Sequence, residues 1–404
     1  MLVRRWFMRG AKTSEASANL VRRRLLGGSW KAGVLVACSR VIPREWVTAL
    51  AQEAGPTERR IIRSMRPQDW ETPVALLNSW ITPADVFYVR SHLYTPTVDL
   101  ETWTLTIAGE VDRPVTLRMT DLRQMPQVTM PVTLECAGNG RAFFDPPVAG
   151  TQWQRGAVGT ARWTGIRLSD LLKRAGLKPS GRYVWFDGAD TPMGNVPDFV
   201  RQLPRVKAVH PDTLLAFEMN GQPLPIANGF PLRVIVPGWE GAYWVKWLTH
   251  IQVSDHEQDG FWVQTAYRYP RIRVSPGAAV DPKDTDPLTG LGVKSIITMP
   301  TTGAVRFGQS VDVSGFAWAG EATIARVDIS VDGGSTWSAA TLGSGRAPYA
   351  WRQFRFAWNP TERGSFVVFS RAADDRGRVQ PVVPRWNPSG YLWNAIDRVQ
   401  VDVQ

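Results

Sequence analysis

The chain is 404 residues long, carries 47 Lys+Arg against 36 Asp+Glu for a formal net charge of +11, and is 44% hydrophobic. That length holds about two domains with full cores. The charge favours anionic partners, but no basic run interleaved with aromatics lies on one helix and no zinc-finger spacing occurs, so no nucleic acid is expected among them. The two cysteines give no disulfide framework, no CxxC pair and no CxxCH motif for covalent haem.

Residues 1–40 read as an export signal or a disordered basic arm. Arg22-Arg23-Arg24-Leu25-Leu26, followed by weakly apolar residues 27–38, resembles a twin-arginine export signal. Leu35-Val36-Ala37-Cys38 resembles a lipoprotein box in which Cys38 would take the lipid. Lys31 interrupts the apolar run, which is too short and polar to cross a bilayer. The expectation is a periplasmic or extracytoplasmic protein, with a membrane anchor through Cys38 as a variant of it.

Residues 41–270 are expected to form the first folded domain. Residues 45–54 are helix-like. Residues 86–93 read as a buried strand ending in a polar cluster, and Arg90 and His92, two apart, share a face of extended backbone. Alternation predicts a strand over 103–107, with a turn at 109–114 and a short capped helix at 120–125.

A β-prone run, Val132-Thr133-Leu134, then delivers Cys136 to a turn of small residues, Ala137-Gly138-Asn139-Gly140, with Arg141 next. A thiol, a bare loop and a permanent cation suit a soft metal ion with anions beside it. The alternative is a buried cysteine acting as a small hydrophobe.

Residues 143–165, rich in Gly, Pro and Trp, read as a long loop that walls a site. An amphipathic helix is predicted over 168–175, stopped by Gly176. Residues 183–190 form a strand running into an acidic turn, and 214–219 a helix or a strand closed by Asn220-Gly221. Arg233 lies in a buried strand within 229–238, and Lys246 sits between Val245 and Trp247. A cation in such company is costly unless paired, so each implies an internal ion pair or a bound anion. A strand over 249–253 and an aromatic stretch over 261–269 close the domain.

Residues 271–295 are a Pro-rich linker containing Asp281-Pro282 and Asp286-Pro287. Over 296–404 short alternating strands appear at 311–316, 324–331, 336–340, 354–358, 365–372 and 386–403, with turns at 332–334 and 374–377. This regularity predicts an immunoglobulin-like β-sandwich.

Taken together, Cys136-Ala-Gly-Asn-x-Arg141, Phe87-Tyr-Val-Arg-x-His92, Glu218-Met-Asn-Gly-Gln-Pro-Leu-Pro225, Gly229-Phe-Pro-x-Arg233 and Val245-Lys-Trp-Leu248 make the sequence resemble the sulfite oxidase family of molybdenum enzymes, over about residues 60–404. The resemblance implies an α+β molybdopterin-binding domain of sulfite oxidase type, followed by an all-β immunoglobulin-like sandwich that pairs two copies as a homodimer. It places molybdenum on Cys136. It places pterin and phosphate contacts on Tyr88, Val89, Arg90, Ser91, His92, Asp190, Arg233, Trp244, Val245 and Lys246. Asn228 stands where vertebrate members carry histidine. Arg90, Arg141 and Tyr267 take the catalytic positions.

The implied reaction is oxidation of sulfite to sulfate, with electrons passed to a separate acceptor such as a c-type cytochrome, since no haem is expected in this chain. Ser389 departs from the animal pattern, which has a sulfite-binding arginine there. The bacterial branch is nearer in that segment and in Trp239-Glu240-Gly241-x-x-Trp244-Val245-Lys246-Trp247. A sulfane-sulfur dehydrogenase subunit or a sulfoxide reductase on the same cofactor are the rival chemistries; the reductases compared lack the sandwich. A non-enzymatic immunoglobulin-like binding protein is the distant rival.

Overall fold

The computed structural model describes residues 59–404. The export and lipoprotein motifs and the helix-like stretch 45–54 lie outside the described residues.

Two five-stranded sheets build the part that carries Cys136. In one, Gln222–Pro223, Leu214–Met219, Val158–Arg167 and Gln127–Glu135 lie side by side, and Arg233–Ile235 also pairs with Leu214–Met219. In the other the order is Val115–Leu117, Leu105–Gly109, Leu248–Ser254, Tyr183–Gly188 and Arg201–Pro204. A small sheet of Ile61–Ser64, Asp69–Glu71 and Val89–Arg90 sits beside them.

Helix Leu168–Ala175 buries Leu168, Leu171, Leu172 and Ala175, the spacing of one helical face. Asp170 lies in its first turn and Lys173 and Arg174 in its last, as the helix dipole favours. Gly176 ends it at φ 75°.

Four sequence readings are settled or revised. The expected loop over 143–165 ends early, because Val158–Arg167 is a ten-residue strand antiparallel to Gln127–Glu135 along nine register pairs. Its glycines suggested a loop, yet they serve strand packing: a Cβ on Gly165 would lie 2.0 Å from the Leu215 carbonyl oxygen. Residues 86–93 form a strand only at Val89–Arg90. Val86 and Phe87 instead turn back, both donating their N–H to the Pro83 carbonyl. Residues 214–219 are a strand.

The last strand spans only Asp397–Val403. Upstream, the Asn387 amide accepts from Tyr391 N at 2.9 Å and donates to Tyr391 O at 2.8 Å, closing a turn that takes those groups from any ladder.

The C-terminal module is a two-sheet sandwich. One sheet orders Lys294–Met299, Val311–Trp318, Arg352–Trp358 and Thr341–Leu342; the other orders Gly303–Val305, Asp397–Val403, Gly364–Asp374, Ile324–Ser330 and Ser338–Ala339. Val313, Val327, Phe354, Val368 and Val401, all fully buried, fill the space between them.

The sandwich is bonded to the first part of the chain. Trp80 and Trp351 exchange indole-to-carbonyl bonds of 3.0 and 2.8 Å. Thr133 donates its N–H to Tyr349 O at 2.9 Å, and its hydroxyl accepts from Trp351 N at 2.8 Å.

Candidate active site

The strand Gln127–Glu135 carries the chain to Cys136, whose N–H donates to Ala157 O at 3.0 Å. The next residues fold tightly: Asn139 N donates to Cys136 O and Arg141 N to Gly138 O, each at 2.9 Å. A Cβ on Gly138 would lie 2.7 Å from the Arg141 guanidinium, so the bare loop lets Arg141 fold back over the thiol turn. Burial pushes the Cys136 thiol up to about 11, against the opposing pull of the Arg141 and Arg90 charges. The free thiol is therefore protonated at neutral pH, and a metal binding there displaces that proton.

Cys136 stands where two cavities meet. The inner one contains about 630 Å³ of empty space, part of it open to solvent. The outer one contains about 720 Å³ and is walled by Arg141, Thr151, Pro388, Ser389 and Tyr391. Arg90, His92 and Tyr267 border both.

Cations dominate the inner wall. Arg233 is 4% exposed, donates to Asn228 O at 2.8 Å and to Trp244 O at 3.2 Å, and leaves its Nε without a partner. Burial lowers its pKa to about 10. Lys246 Nζ donates to Ser91 Oγ at 2.7 Å and Ala227 O at 2.9 Å, and burial, then the charge of Arg233, pushes its pKa well down. Neither has a carboxylate oxygen within 4.0 Å among the described residues, so internal ion pairs are not their explanation. Asp190, the one carboxylate expected here, is 8% exposed and raised to about 6 by burial, against the pull of Lys246.

At the junction, His92 stacks on Phe199 at 4.0 Å between ring centroids and shares a 2.5 Å hydrogen bond with the Tyr267 hydroxyl. Burial, then the cations Arg90, Lys246 and Arg201, pushes the His92 pKa well down, so the imidazole is neutral. Burial raises that of Tyr267, so the phenol keeps its proton. Tyr267 holds φ at 54° and stacks on Tyr391 at 5.3 Å, a backbone conformation costly for an aromatic residue and typical of a functional position.

The two expected substrate arginines differ. Arg90 is tied to Asp69 at 2.9 Å. Arg141, 8% exposed, donates to Ser389 O at 3.1 Å and Thr151 O at 2.9 Å and has no carboxylate partner among the described residues.

Of the residues singled out by sequence, Tyr88 to His92, Cys136, Asp190, Asn228, Arg233, Trp244, Lys246 and Tyr267 line the inner cavity. Arg141 lines the outer one. Val245 lines neither; it is buried, and its carbonyl accepts from Val234 N at 2.9 Å.

Sequence reasoning passed over Arg201, Glu240 and Tyr391. Arg201 lies over the rings of Tyr243 and Tyr267, at 4.4 and 5.0 Å. Glu240 is fully buried 3.9 Å from Arg201 and is raised to about 7 by burial. A glutamate between tryptophan and glycine signals nothing by itself, whereas Lys246, six residues on, was readable from its apolar company.

The donor set fits a large anionic cofactor bearing a soft metal. The thiol, the unneutralised Arg233 and Lys246, and the unpartnered Arg233 Nε and Asn228 Oδ1 all face one slot. Among the described residues no three His, Cys, Asp or Glu side chains converge as a metal cage. Cys136 would therefore be the protein's ligand and the cofactor would bring the rest.

Comparison with known proteins agrees. The oxidoreductase molybdopterin binding domain model matches residues 92–262, and the Mo-co oxidoreductase dimerisation domain model matches 286–404. Mitochondrial sulfite oxidase of Rattus norvegicus is 39% identical over 362 residues, covering 85% of this chain and 65% of that protein. Sulfite oxidase of Gallus gallus is 36% identical over 357 residues, 83% of this chain and 76% of that protein. The chain thus spans about two thirds of the length of the mitochondrial relative and more of the avian one. The sulfane dehydrogenase SoxCD of Paracoccus pantotrophus superposes with a TM-score of 0.73 at 25% identity, covering 98% of this chain and 100% of that one.

A mostly β fold with a thiol loop and a cationic slot defines a molybdopterin-binding oxidoreductase followed by an immunoglobulin-like sandwich. The chain belongs to the sulfite oxidase family of molybdopterin-dependent oxidoreductases.

Proposed function

We propose that this protein oxidises sulfite to sulfate and passes the electrons to a separate acceptor, for which a c-type cytochrome is the fitting class. The observation that carries the reading is Arg141, a buried cation held by two carbonyls, without a carboxylate partner among the described residues, lining the outer cavity beside Cys136. Such a group gives an oxyanion a charge-assisted, geometrically fixed contact.

Arg233 and Lys246 would hold the phosphate of molybdopterin, with Tyr88 to His92, Asp190, Asn228 and Trp244 along the pterin. Cys136 would be the thiolate ligand. The cofactor, when bound, supplies a metal able to transfer an oxygen atom and take two electrons.

The chain's residues do the rest. Arg141 draws sulfite to the mouth and fixes its orientation. Tyr267, a neutral phenol bonded to His92, presents its hydroxyl where the outer cavity meets the inner one. Sulfite and one water give sulfate, two protons and two electrons, so the site must release protons as well as electrons. The net charge of +11 suits an acidic acceptor. The dimerisation module supports a homodimer. On the export reading of residues 22–38, the acceptor is extracytoplasmic.

Sulfane-sulfur oxidation is the second reading. It is favoured by the end-to-end likeness to the sulfane dehydrogenase and by Ser389, which puts a neutral side chain on the outer cavity instead of a further cation. The deciding test is reduction of ferricyanide and of a c-type cytochrome by molybdenum-loaded protein, with sulfite and with a sulfane-sulfur donor in parallel. Sulfite turnover supports the first reading; turnover only with sulfane sulfur replaces it.

A further inference from the structure

The residue before Cys136 is a buried glutamate whose strongest partners come from the sandwich. Glu135 is 5% exposed, Lys294 3%, Trp318 2% and Asn139 1%. Glu135 Oε1 accepts from Lys294 Nζ and from Asn139 Nδ2, both at 2.9 Å, and Oε2 accepts from Trp318 Nε1 at 2.7 Å. Lys294 Nζ also donates to Asn139 O at 3.0 Å. One residue past the thiol, Ala137 O accepts from Leu392 N at 2.8 Å. The chain is therefore gripped on both sides of Cys136, and Lys294, Trp318 and Leu392 all belong to the C-terminal module.

Burying an ion pair costs desolvation that an apolar pair would avoid. What the charged pair supplies is direction. Each bond fixes an angle at the loop, and in a dry surrounding these bonds stiffen one another. Where one protein side chain ligates the metal, the geometry of that ligand is set by the loop that carries it.

We infer that Lys294 is a positioning residue for the metal: through Glu135 and Asn139 it fixes the Cys136 loop, so the sandwich sets the metal–thiolate geometry in addition to pairing two copies. The inference rests on Cys136 as the molybdenum ligand and not on which sulfur compound is oxidised.

The test compares Lys294→Met and Trp318→Phe with the unaltered protein. Lys294→Met leaves Glu135 buried without a cation and puts folding at risk. Trp318→Phe keeps an aromatic ring at this place, loses the smaller indole ring with its Nε1 donor and leaves the Lys294–Glu135 pair intact, so it holds the test open. Two readouts are independent of substrate. One is the sulfur-to-metal charge-transfer absorption of holoenzyme at matched molybdenum content. The other is the alkylation rate of metal-free protein, followed on the peptide containing Cys136. Trp318→Phe is expected to shift the band and raise alkylation about twofold, and Lys294→Met to do both more strongly, with at least a fivefold rise.

With sulfite as substrate, kcat should fall at least tenfold in Lys294→Met while KM stays within about twofold. Folded variants with the unaltered band and the unaltered alkylation rate, whatever their melting temperature, would overturn the inference. If sulfite is not turned over at all, the proposed reaction fails while the band and the alkylation rate still decide the role of Lys294.

Discussion

Replacing Glu240 by Gln tests the electrostatics of the site without touching the metal. The carboxyl is fully buried, 3.9 Å from the Arg201 guanidinium, and one oxygen has no hydrogen-bond partner while the other accepts from Ala242 N at 2.8 Å. Burial outweighs the pull of Arg201 and raises its pKa from the ordinary 4.5 to about 7. A raised carboxyl pKa means the folded state favours the proton. Its contribution is fully present below 4.5 and is lost as pH climbs through about 7. The difference of about 2.5 units corresponds to about 3 kcal/mol lost by pH 8.5.

Gln is isosteric with the protonated acid, can still accept from Ala242 N, and does not ionise. Glu240→Gln should therefore match the parent within about 1 kcal/mol at pH 5 and exceed it by about 3 kcal/mol at pH 8.5. Other raised groups such as Asp187 and Asp190 titrate alike in both proteins and cancel in the comparison. Urea unfolding of the metal-free proteins across that range measures it. A gap that does not change with pH, or a variant less stable than the parent at pH 8.5, would refute the reasoning.

Cys136→Ser should abolish turnover by removing the thiolate; near-parental activity of that variant would dismiss the metal assignment. Arg141→Met deletes the unpaired cation of the outer cavity; at about 1.5–3 kcal/mol for a charged hydrogen bond, kcat/KM should fall about ten- to a hundredfold, mostly through KM. Arg233→Met and Lys246→Met should lower the molybdopterin content of purified protein, measured by cofactor release and metal analysis, because each removes a cation that lacks a carboxylate partner among the described residues. Reduction of an acidic c-type cytochrome should slow as salt rises from 10 to 300 mM, roughly the range over which the screening length shrinks from about 30 to below 10 Å; a salt-independent rate would argue against steering by the net charge.

Much of the site was legible because its chemistry leaves local traces. Cys136 among Ala, Gly and Asn, and Arg233 and Lys246 amid aliphatic and aromatic neighbours, are anomalies of burial and backbone freedom that a linear reading detects. The alternating strands of the sandwich and the helix at 168–175 follow periodicities written into the chain.

What the sequence left open depended on contacts between distant residues. Whether 214–219 was helix or strand was decided by its strand neighbours, Val158–Arg167, Arg233–Ile235 and Gln222–Pro223. The glycines of 158–167 suggested a loop until the Leu215 backbone was found against Gly165. Whether Arg233 and Lys246 had internal partners could be answered only by finding which carboxylates lie near them, and among the described residues none lies within 4.0 Å. Lys294 is 159 residues from Glu135, so nothing local announces that the two meet. The sequence by itself determined which residue types were present for metal, phosphate and oxyanion; the tertiary structure decided which faced one cavity, which were neutralised and which were held by the other module. The reason is physical: propensity and periodicity act over a few residues, whereas desolvation and ion pairing depend on everything within a few ångströms in space.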